Sequence, residues 1–228
     1  NLILIPMKQL LILTCLLPCL TFSQISIIEE FNFQYFSQSN WLGDTASFCP
    51  NNALLLCDSV ASSSSLSLPS RISENFELSF YFKMNFNPSS SNNAKLILAS
   101  DQMSLDSSKY AFYLCLGCSG QDEIALWQKE NMNHTLLGQS TGILNSSFNE
   151  YSLKVQRDSN SHWQVLLNDS LLFNAIDHLD FQSNYLSWSC KYTKTRSDKM
   201  QMDSLYFNGS PWKDKIAPRL DSMRVRSE

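Results

Sequence analysis

An uninterrupted alternation of apolar and polar residues between Phe76 and Phe86 constrains the fold of this chain more than any other feature. A period of two sustained over eleven residues predicts a β-strand with one buried face. Burial of each large apolar side chain contributes about 1.5 to 3 kcal/mol before entropy is subtracted, so this face requires a second apolar layer. We therefore predict an all-β chain folded as a two-sheet β-sandwich. The apolar positions are Phe76, Leu78, Phe80, Phe82, Met84 and Phe86.

Short apolar or alternating segments follow one another along most of the chain, separated by clusters of Gly, Pro, Ser, Asn and Asp. This spacing predicts about a dozen short antiparallel strands in a jelly-roll arrangement, without an amphipathic helix. Phe76–Phe86 and Lys95–Ala99 are predicted to form a hairpin across the turn at Asn87–Asn93. The other predicted strands are Ile25–Phe31, Leu54–Cys57, Tyr110–Gly117, Ile124–Gln128, Thr135–Leu137, Phe148–Gln156, His162–Leu167, Leu171–Phe173, Leu186–Tyr192 and Met202–Asn208.

Length and composition narrow the class of protein. The 228 residues are enough for one large all-β domain. Hydrophobic residues make up 43% of the chain and charged residues 17%, which indicates a globular protein and not a disordered one. Because the net charge is −4, the chain has no basic surface for nucleic acid, and we predict no nucleic-acid partner.

The N-terminal segment has the pattern of an export signal. Lys8 gives a short positive region, Leu10–Leu20 an apolar region, and Thr21–Ser23 the small residues of a cleavage site. The apolar run is interrupted by Pro18 and is well short of the roughly 20 residues that span a bilayer. We therefore predict a secreted protein, extracellular or at the cell surface, without a membrane span.

Three regions follow from this interpretation. Residues 1–23 are a signal peptide, in which the residues before Met7 represent upstream read-through. Residues 24–210 form the jelly-roll sandwich. Residues 211–228 contain Pro218 and are interpreted as a linker and the start of a truncated following domain.

Five cysteines remain after removal of the signal peptide, and export makes disulfides the expected state of most of them. The spacing of Cys115 and Cys118 lacks the second pair or the histidines of a zinc site, and it follows a strand instead of opening a helix as redox pairs do. We predict one or two structural disulfides, with Cys190 as a candidate partner for either pair and at least one thiol left over. The disulfide candidates are Cys49, Cys57, Cys115, Cys118 and Cys190.

Several segments, taken in chain order, carry a resemblance to known modules. Glu150–Phe173 contains a strand ending in Arg-Asp, a turn, a strand led by Trp and an Asn-Asp-Ser turn. This order resembles the middle of concanavalin A-like and laminin-G-like jelly rolls. Trp41–Phe48, Phe86–Asp101 and Tyr192–Gly209 resemble the N-terminal module of large secreted surface proteins of gliding-type bacteria. The resemblance implies a jelly roll whose partners include the following domains of the same chain.

One position departs from the pattern that the resemblance implies. Many such modules end in a strand with two adjacent aspartates that help to hold a structural calcium, whereas this chain has Asp203 followed by Ser204. A single carboxylate provides at most two of the six to eight oxygen ligands that calcium requires. Asp203 is therefore kept as the one candidate ligand for a structural calcium, and no other cofactor is predicted.

Catalysis is not predicted. A glycoside hydrolase would need two carboxylates flanking the scissile bond, and no Glu-x-Asp-x-x-Glu run is present. Asp177 and Asp180 imitate such a pair most closely, but we interpret them as a solvated turn. No Gly-x-Ser-x-Gly elbow is present, and the three histidines show no partner spacing. A glycosidase-related domain is retained only as an alternative.

Sugar binding is the function that these patterns leave open. Flat aromatic faces together with amide side chains suit carbohydrates, and the polar faces of the predicted strands carry both. The alternative is that the aromatic residues only pack, in which case the domain is a structural spacer. We predict a non-catalytic glycan-binding or adhesive module for polysaccharide or glycoprotein glycans. The candidate ligand-binding residues form an aromatic platform of Tyr81, Tyr113 and Trp127 with Asn85 and Gln128.

Overall fold

The computed structural model describes residues 24–31, 39–50 and 52–212. This part of the chain forms two antiparallel β-sheets, which confirms the predicted all-β sandwich. The predicted signal peptide and the predicted linker after Trp212 lie outside the described residues. Within the described part, no helix is long and apolar enough to cross a membrane.

The first sheet contains eight strands in the order β13-β12-β11-β6-β15-β4-β3, and β1 pairs with β15 beside this path. Its center is β6, the strand predicted from the alternating stretch, which pairs with β11 on one side and β15 on the other. Its strands are β1 (Ile25–Glu29), β3 (Phe48–Pro50), β4 (Leu54–Leu56), β6 (Ile72–Met84), β11 (Asn149–Arg157), β12 (His162–Leu167), β13 (Ser170–Ile176) and β15 (Met200–Pro211).

The second sheet contains seven strands in the order β10-β9-β8-β7-β14-β5-β2. The four consecutive serines Ser62–Ser65 begin its strand β5. Its strands are β2 (Leu42–Gly43), β5 (Ser62–Pro69), β7 (Asn93–Ser100), β8 (Tyr110–Leu116), β9 (Ile124–Glu130), β10 (Asn133–Ser140) and β14 (Tyr185–Tyr192).

The core lies between the inner faces of the two sheets. From β6, Phe80 and Phe82 are fully buried, and the Phe80 ring centroid is 6.1 Å from that of Trp188 on β14. From β8, Phe112, Leu114 and Leu116 point inward as their alternation predicts. The two-residue periodicity therefore identified the buried face of these strands correctly.

The predicted hairpin between the alternating stretch and Lys95–Ala99 is wrong. β6 belongs to the first sheet, whereas β7 lies in the second sheet between β8 and β14. The segment between them crosses from one layer to the other. Both faces of β7 are largely buried, because its outer face packs under a surface loop. The strand β6, in contrast, has one partly exposed face.

The structure pairs Cys49 with Cys57 and Cys115 with Cys118. Cys49 and Cys57 lie on β3 and just after β4, which are neighboring strands, so this disulfide closes the edge of the first sheet. Cys190 is the free cysteine of the described residues and is fully buried on β14. It is therefore not the partner of either pair, and burial raises the pKa of its thiol.

A buried ion pair joins three segments at one end of the sandwich. Arg157 at the end of β11 donates from Nε to Asp177 Oδ2 at 2.7 Å and from Nη2 to Asp177 Oδ1 at 3.0 Å. Trp163 Nε1 donates to the same carboxylate at 2.6 Å, and the backbone N–H of Leu179 donates to it at 2.8 Å. The side chains of both charged partners are almost inaccessible to solvent. Interpreting Asp177 as part of a solvated turn is therefore wrong, while Asp180 is exposed.

Removing the core ring of Phe80 should destabilise the fold strongly. Phe80 is 1% exposed, and truncation of a buried phenylalanine to alanine costs about 3 to 5 kcal/mol. Phe148 is 51% exposed and provides the matched control, so Phe148→Ala should cost less than about 1 kcal/mol. Urea unfolding of both variants measures the difference. Equal losses would contradict the burial of this face.

Breaking the buried ion pair should also be costly. Asp177→Ala leaves the Arg157 guanidinium buried without its partner, which should lower the free energy of unfolding by about 3 to 5 kcal/mol. Arg157→Met combined with Asp177→Leu should recover much of this loss, because no uncompensated charge then remains. Asp180→Ala is the exposed control. A loss of less than about 1 kcal/mol in Asp177→Ala would contradict the buried pairing.

Candidate functional site

A row of polar side chains crosses the outer face of the first sheet. The row contains four amides and one carboxylate, contributed by five neighboring strands. Its members, from the β13 edge toward β15, are Asn174, Gln164, Gln156, Glu77 and Asn208. We refer to these five residues as the polar row.

Strand register places the five side chains at the same level. Gln164 pairs with Asn174 on one side and with Gln156 on the other. Glu77, on the central strand, pairs with Gln156 and Asn208. Since residues in register on adjacent strands point to the same face, the row is a continuous surface feature.

The polar row lines a surface groove of about 780 Å³. The row lies near the strand ends, since Gln156 is the last residue but one of β11. The lining also includes Gln24 beside β1, and Asp158 and Ser159 in the β11–β12 turn. A volume of this size is typical of ligand sites in proteins.

Glu77 is the charged member of the row. Gln156 Nε2 donates to Glu77 Oε2 at 2.5 Å, and Lys154 Nζ lies 2.9 Å from Glu77 Oε1. Partial burial raises the pKa of the Glu77 carboxyl, but the hydrogen bonds from Lys154 and Gln156 outweigh it, so the pKa lies below its ordinary value. Glu77 is therefore an ionised hydrogen-bond acceptor at neutral pH.

Asn208 provides an unused acceptor at the other end of the row. Its Oδ1 is shielded from solvent and has no hydrogen-bond partner among the residues that the structure describes. Buried polar atoms in folded proteins are nearly always paired, and an unpaired one costs about 1 to 3 kcal/mol. A water molecule or a ligand hydroxyl donating to this oxygen would remove that cost.

The buried ion pair supports the β11–β12 turn beside the groove. Arg157 points into the core, whereas its neighbor Gln156 points outward into the polar row, as alternation along β11 requires. Arg157 Nη2 also donates to Ser161 Oγ in the β11–β12 turn at 2.8 Å. The ion pair thus holds the turn that forms the groove wall at Asp158.

The structure does not bring the predicted aromatic platform together. Tyr113 and Trp127 stack on the outer face of the second sheet, with ring centroids 6.5 Å apart and planes 9° from parallel. Tyr81 lies on the outer face of the first sheet, on the opposite side of the molecule, together with Asn85. Gln128 is in register with Phe112, which faces the core, so Gln128 and Trp127 point to opposite faces of β9.

A surface loop covers the stacked pair. The 101–109 loop packs Leu105 against the cluster that contains Tyr113 and Trp127. Lys129 Nζ holds this loop by donating to the carbonyls of Leu105 at 2.5 Å and Asp106 at 2.9 Å. Tyr113 is only 5% exposed, and burial raises its pKa to about 12. Packing under a loop is therefore a sufficient explanation for these two aromatic residues.

Tyr81 is part of a polar cluster further along the first sheet. Its hydroxyl donates to Glu150, and Glu150 also lies 3.9 Å from Lys83 Nζ. Partial burial, together with the hydrogen bond to Glu150, raises the pKa of Tyr81 to about 12. A ligand-binding role for Tyr81 and Asn85 stays a prediction.

Asp203 is the candidate ligand for a structural calcium. It lies on β15 next to a bulge, and its Oδ1 accepts the backbone N–H of Ser204 at 2.7 Å. No group of three or more His, Cys, Asp or Glu side chains that could hold a metal ion occurs in residues 24–31, 39–50 and 52–212. Calcium needs six to eight oxygens, and a calcium-binding role for Asp203 stays a prediction.

The polar row was not predicted from the sequence, although some of its members occupy outward positions of predicted strands. Glu77 lies in the alternating stretch, and Gln156 and Gln164 alternate with inward residues of their own strands. The sequence does not reveal the register between strands, and residues 77 and 208 become neighbors only when the sheet forms.

The chain matches no protein-family model and no curated protein. Its fold is similar to solved carbohydrate recognition domains. That of Emp46p in a metal-free form has a TM-score of 0.62 at 10% identity and covers 82% of this chain and 97% of that chain. The carbohydrate recognition domain of Emp47p matches with a TM-score of 0.63 at 10% identity, and the match covers 82% of this chain and 95% of the Emp47p chain.

A third similar structure is the exoplasmic/lumenal domain of VIP36 in a Ca2+/Man-bound form. Its TM-score is 0.61 at 13% identity, with 84% of this chain and 92% of that chain covered. At such low identities the similarity establishes the fold alone. The chain therefore has a concanavalin A-like β-sandwich fold, as the resemblance in its sequence implied.

Proposed function

We propose that this protein is a secreted, non-catalytic glycan-binding module that binds its ligand in the groove on the first sheet. The observation that carries this proposal is the polar row, in which four amides and one carboxylate stand in register across five strands. Amides offer donors and an acceptor, and a carboxylate offers acceptors, which together match the hydroxyl groups of sugars.

The fold supports this proposal. Two of the similar solved structures are the carbohydrate recognition domains of Emp46p and Emp47p. The third is the VIP36 domain in its Ca2+/Man-bound form. The fold can host many functions, so the argument for this chain rests on its own groove. A glycan partner could be a polysaccharide or a glycoprotein glycan.

The absence of catalysis is part of the proposal, and it is supported by how the groove carboxylates are used. Glu77 is held by Lys154 and Gln156. Asp158 accepts the backbone N–H groups of Asn160 at 2.8 Å and His162 at 2.9 Å, which fixes its own turn. A glycosidase needs one carboxylic acid that protonates the leaving group and a second carboxylate across the sugar. Neither residue is set up for those roles.

The compartment is proposed on two grounds. The structure contains disulfides, which persist in oxidising environments outside the cytosol. The N-terminal segment has the pattern of an export signal. A position at the beginning of a longer surface protein, an adhesive role and the gliding-type bacterial context remain predictions from the sequence resemblance.

The alternative is a structural spacer whose only partners are the following domains of its own chain. Under this alternative the polar row is simply a solvated sheet face. A second alternative is that a glycan binds on the second sheet, in which case Tyr113 and Trp127 would form the binding surface.

Glycan binding by the groove should depend on the amides of the row. A glycan array identifies a ligand, and calorimetry then compares variants with the unmodified full chain. Gln156→Ala combined with Gln164→Ala should weaken binding by about fivefold to a hundredfold, since each amide contributes about 0.5 to 1.5 kcal/mol of hydrogen bonding. Gln201→Ala removes the same side chain from the same face outside the groove and should leave affinity unchanged.

Trp127→Ala separates the groove from the aromatic platform. Binding in the groove predicts that this variant keeps its affinity, with thermal unfolding used to confirm that it is folded. Loss of binding in folded Trp127→Ala, with retention in the Gln156 and Gln164 variant, would overturn the groove. No binding to any glycan by the unmodified chain would favor the spacer.

The pH dependence of binding should follow Glu77. Because its pKa in the folded protein is lowered, the carboxylate stays ionised down to and below its ordinary value of 4.5. Affinity should therefore be constant from neutral pH to about 4.5 and should fall only at lower pH. Glu77→Gln should abolish this acidic decline. A decline centred near pH 6.5, where histidines ordinarily titrate, would contradict the assignment to Glu77.

A further inference from the structure

The groove also carries information about the class of glycan. We propose that the ligand is a neutral, linear polysaccharide segment that lies across the strands along the polar row and binds without calcium. This inference rests on the proposed function and extends it from glycan binding to a ligand class. Three features of the groove support it: its length, its repeated chemistry and its charge.

The length of the polar row favors an extended ligand. Adjacent strands are about 4.8 Å apart, so the four intervals from Asn174 to Asn208 span about 19 Å. Ser26 on β1 is in register with Asn208 and continues the level by one more strand. A ligand as wide as one strand spacing contacts one or two members of the row. Only a ligand elongated perpendicular to the strands can contact all of them.

The chemistry of the row repeats along this direction. Gln164 and Asn174 are exposed amides, and Gln156 and Glu77 are half-buried beside them. An amide group has two donor hydrogens and one acceptor oxygen. The Gln156 amide already donates to Glu77, and Asn208 Oδ1 is shielded from solvent, so the amides of Gln164 and Asn174 are the ones most open to a ligand. A chain of sugars presents hydroxyl groups at regular intervals along its length. The row therefore matches a polymer of similar units better than a compact ligand with one recognition point.

The charge of the groove disfavors acidic polysaccharides. Its carboxylates are Glu77 and Asp158, and the cations near them are already engaged. Lys154 is paired with Glu77, and the Arg157 guanidinium is turned into the core toward Asp177. His162 Nδ1 lies 3.4 Å from Asp158 Oδ2. A uronate or sulfate group entering the groove would meet negative charge without an available partner among the described lining residues.

The same pairing argues against a metal-mediated mode of binding. Calcium needs six to eight oxygens, usually with several carboxylates. In this groove the carboxylate of Glu77 is committed to Lys154 and Gln156, and that of Asp158 to backbone N–H groups of its turn. Recognition by amide and carboxylate hydrogen bonds alone requires no ion. We therefore infer direct, calcium-independent contact between the row and sugar hydroxyls.

The test is calorimetry of the full chain with neutral glucan, mannan and xylan oligosaccharides, from monosaccharide to hexasaccharide. We expect affinity to rise with chain length until the row is filled, so that the hexasaccharide binds at least about tenfold more tightly than the monosaccharide. Binding should be the same in EDTA and with added calcium. Oligogalacturonides of equal length should bind at least about tenfold more weakly.

Two variants localise the effect along the row. Asn174→Ala removes the outermost amide and should weaken hexasaccharide binding by about three- to tenfold, while Gln201→Ala should not change it. Glu77→Gln removes the negative center and releases Lys154, so it should narrow the difference between neutral oligosaccharides and oligogalacturonides. An unchanged preference in Glu77→Gln would overturn the electrostatic part of the inference.

The outcomes separate this inference from the proposed function. Binding of a monosaccharide as tightly as its hexasaccharide, loss of binding in EDTA, or preference for oligogalacturonides would overturn the inference and leave glycan binding standing. Failure of every neutral oligosaccharide while the glycan array shows another sugar ligand would have the same meaning. No binding in either assay would overturn both.

Discussion

The register of β6 between β11 and β15 is the constraint on which both the core and the candidate site depend. Its inward residues Phe80 and Phe82 fill the space between the sheets, and its outward residue Glu77 is the charged member of the polar row. Because side chains alternate along a strand, a slip of one residue would exchange these two faces. Burial of the phenylalanines therefore also holds Glu77 beside Gln156 and Asn208. The stability of the core and the geometry of the groove are consequences of the same pairing.

The buried ion pair connects the segment that follows β13 to the β11–β12 turn, which lines the groove. Arg157 and Asp177 are surrounded by aromatic rings, with the guanidinium 5.0 Å from the ring of Phe181 and 5.7 Å from that of Trp163. Such a pair gains little net energy over apolar packing, but breaking it is costly, so it specifies one arrangement of the turn and the 177–184 segment. The position of the turn sets the position of the groove wall at Asp158 and Ser159. Arg157 thereby contributes to the shape of the groove through the turn that it contacts.

Much of the fold could be predicted from periodicity, while most of the candidate site could not. Alternation assigned the correct inward faces of β6, β8 and β14, including Phe112 and Trp188. It failed where partners had to be chosen: β6 and β7 are consecutive but belong to different sheets. Tyr81 and Trp127 failed as one platform for the same reason, since both point outward but from opposite sides of the sandwich. Asp177 could not be recognised as buried because its partner, Arg157, is twenty residues away and in a different element.

From the amino-acid sequence alone it follows that the chain forms strands, which side of each strand is apolar, and that two layers must cover one another. These properties are local, because they depend on the spacing of side chains along a single strand and on the free energy of burying them. Only the tertiary structure decided which strands are neighbors and in which register, and therefore that Asn208 and Glu77 meet with Gln156 in one groove. That choice depends on packing between segments far apart in the chain, which no single stretch of residues encodes.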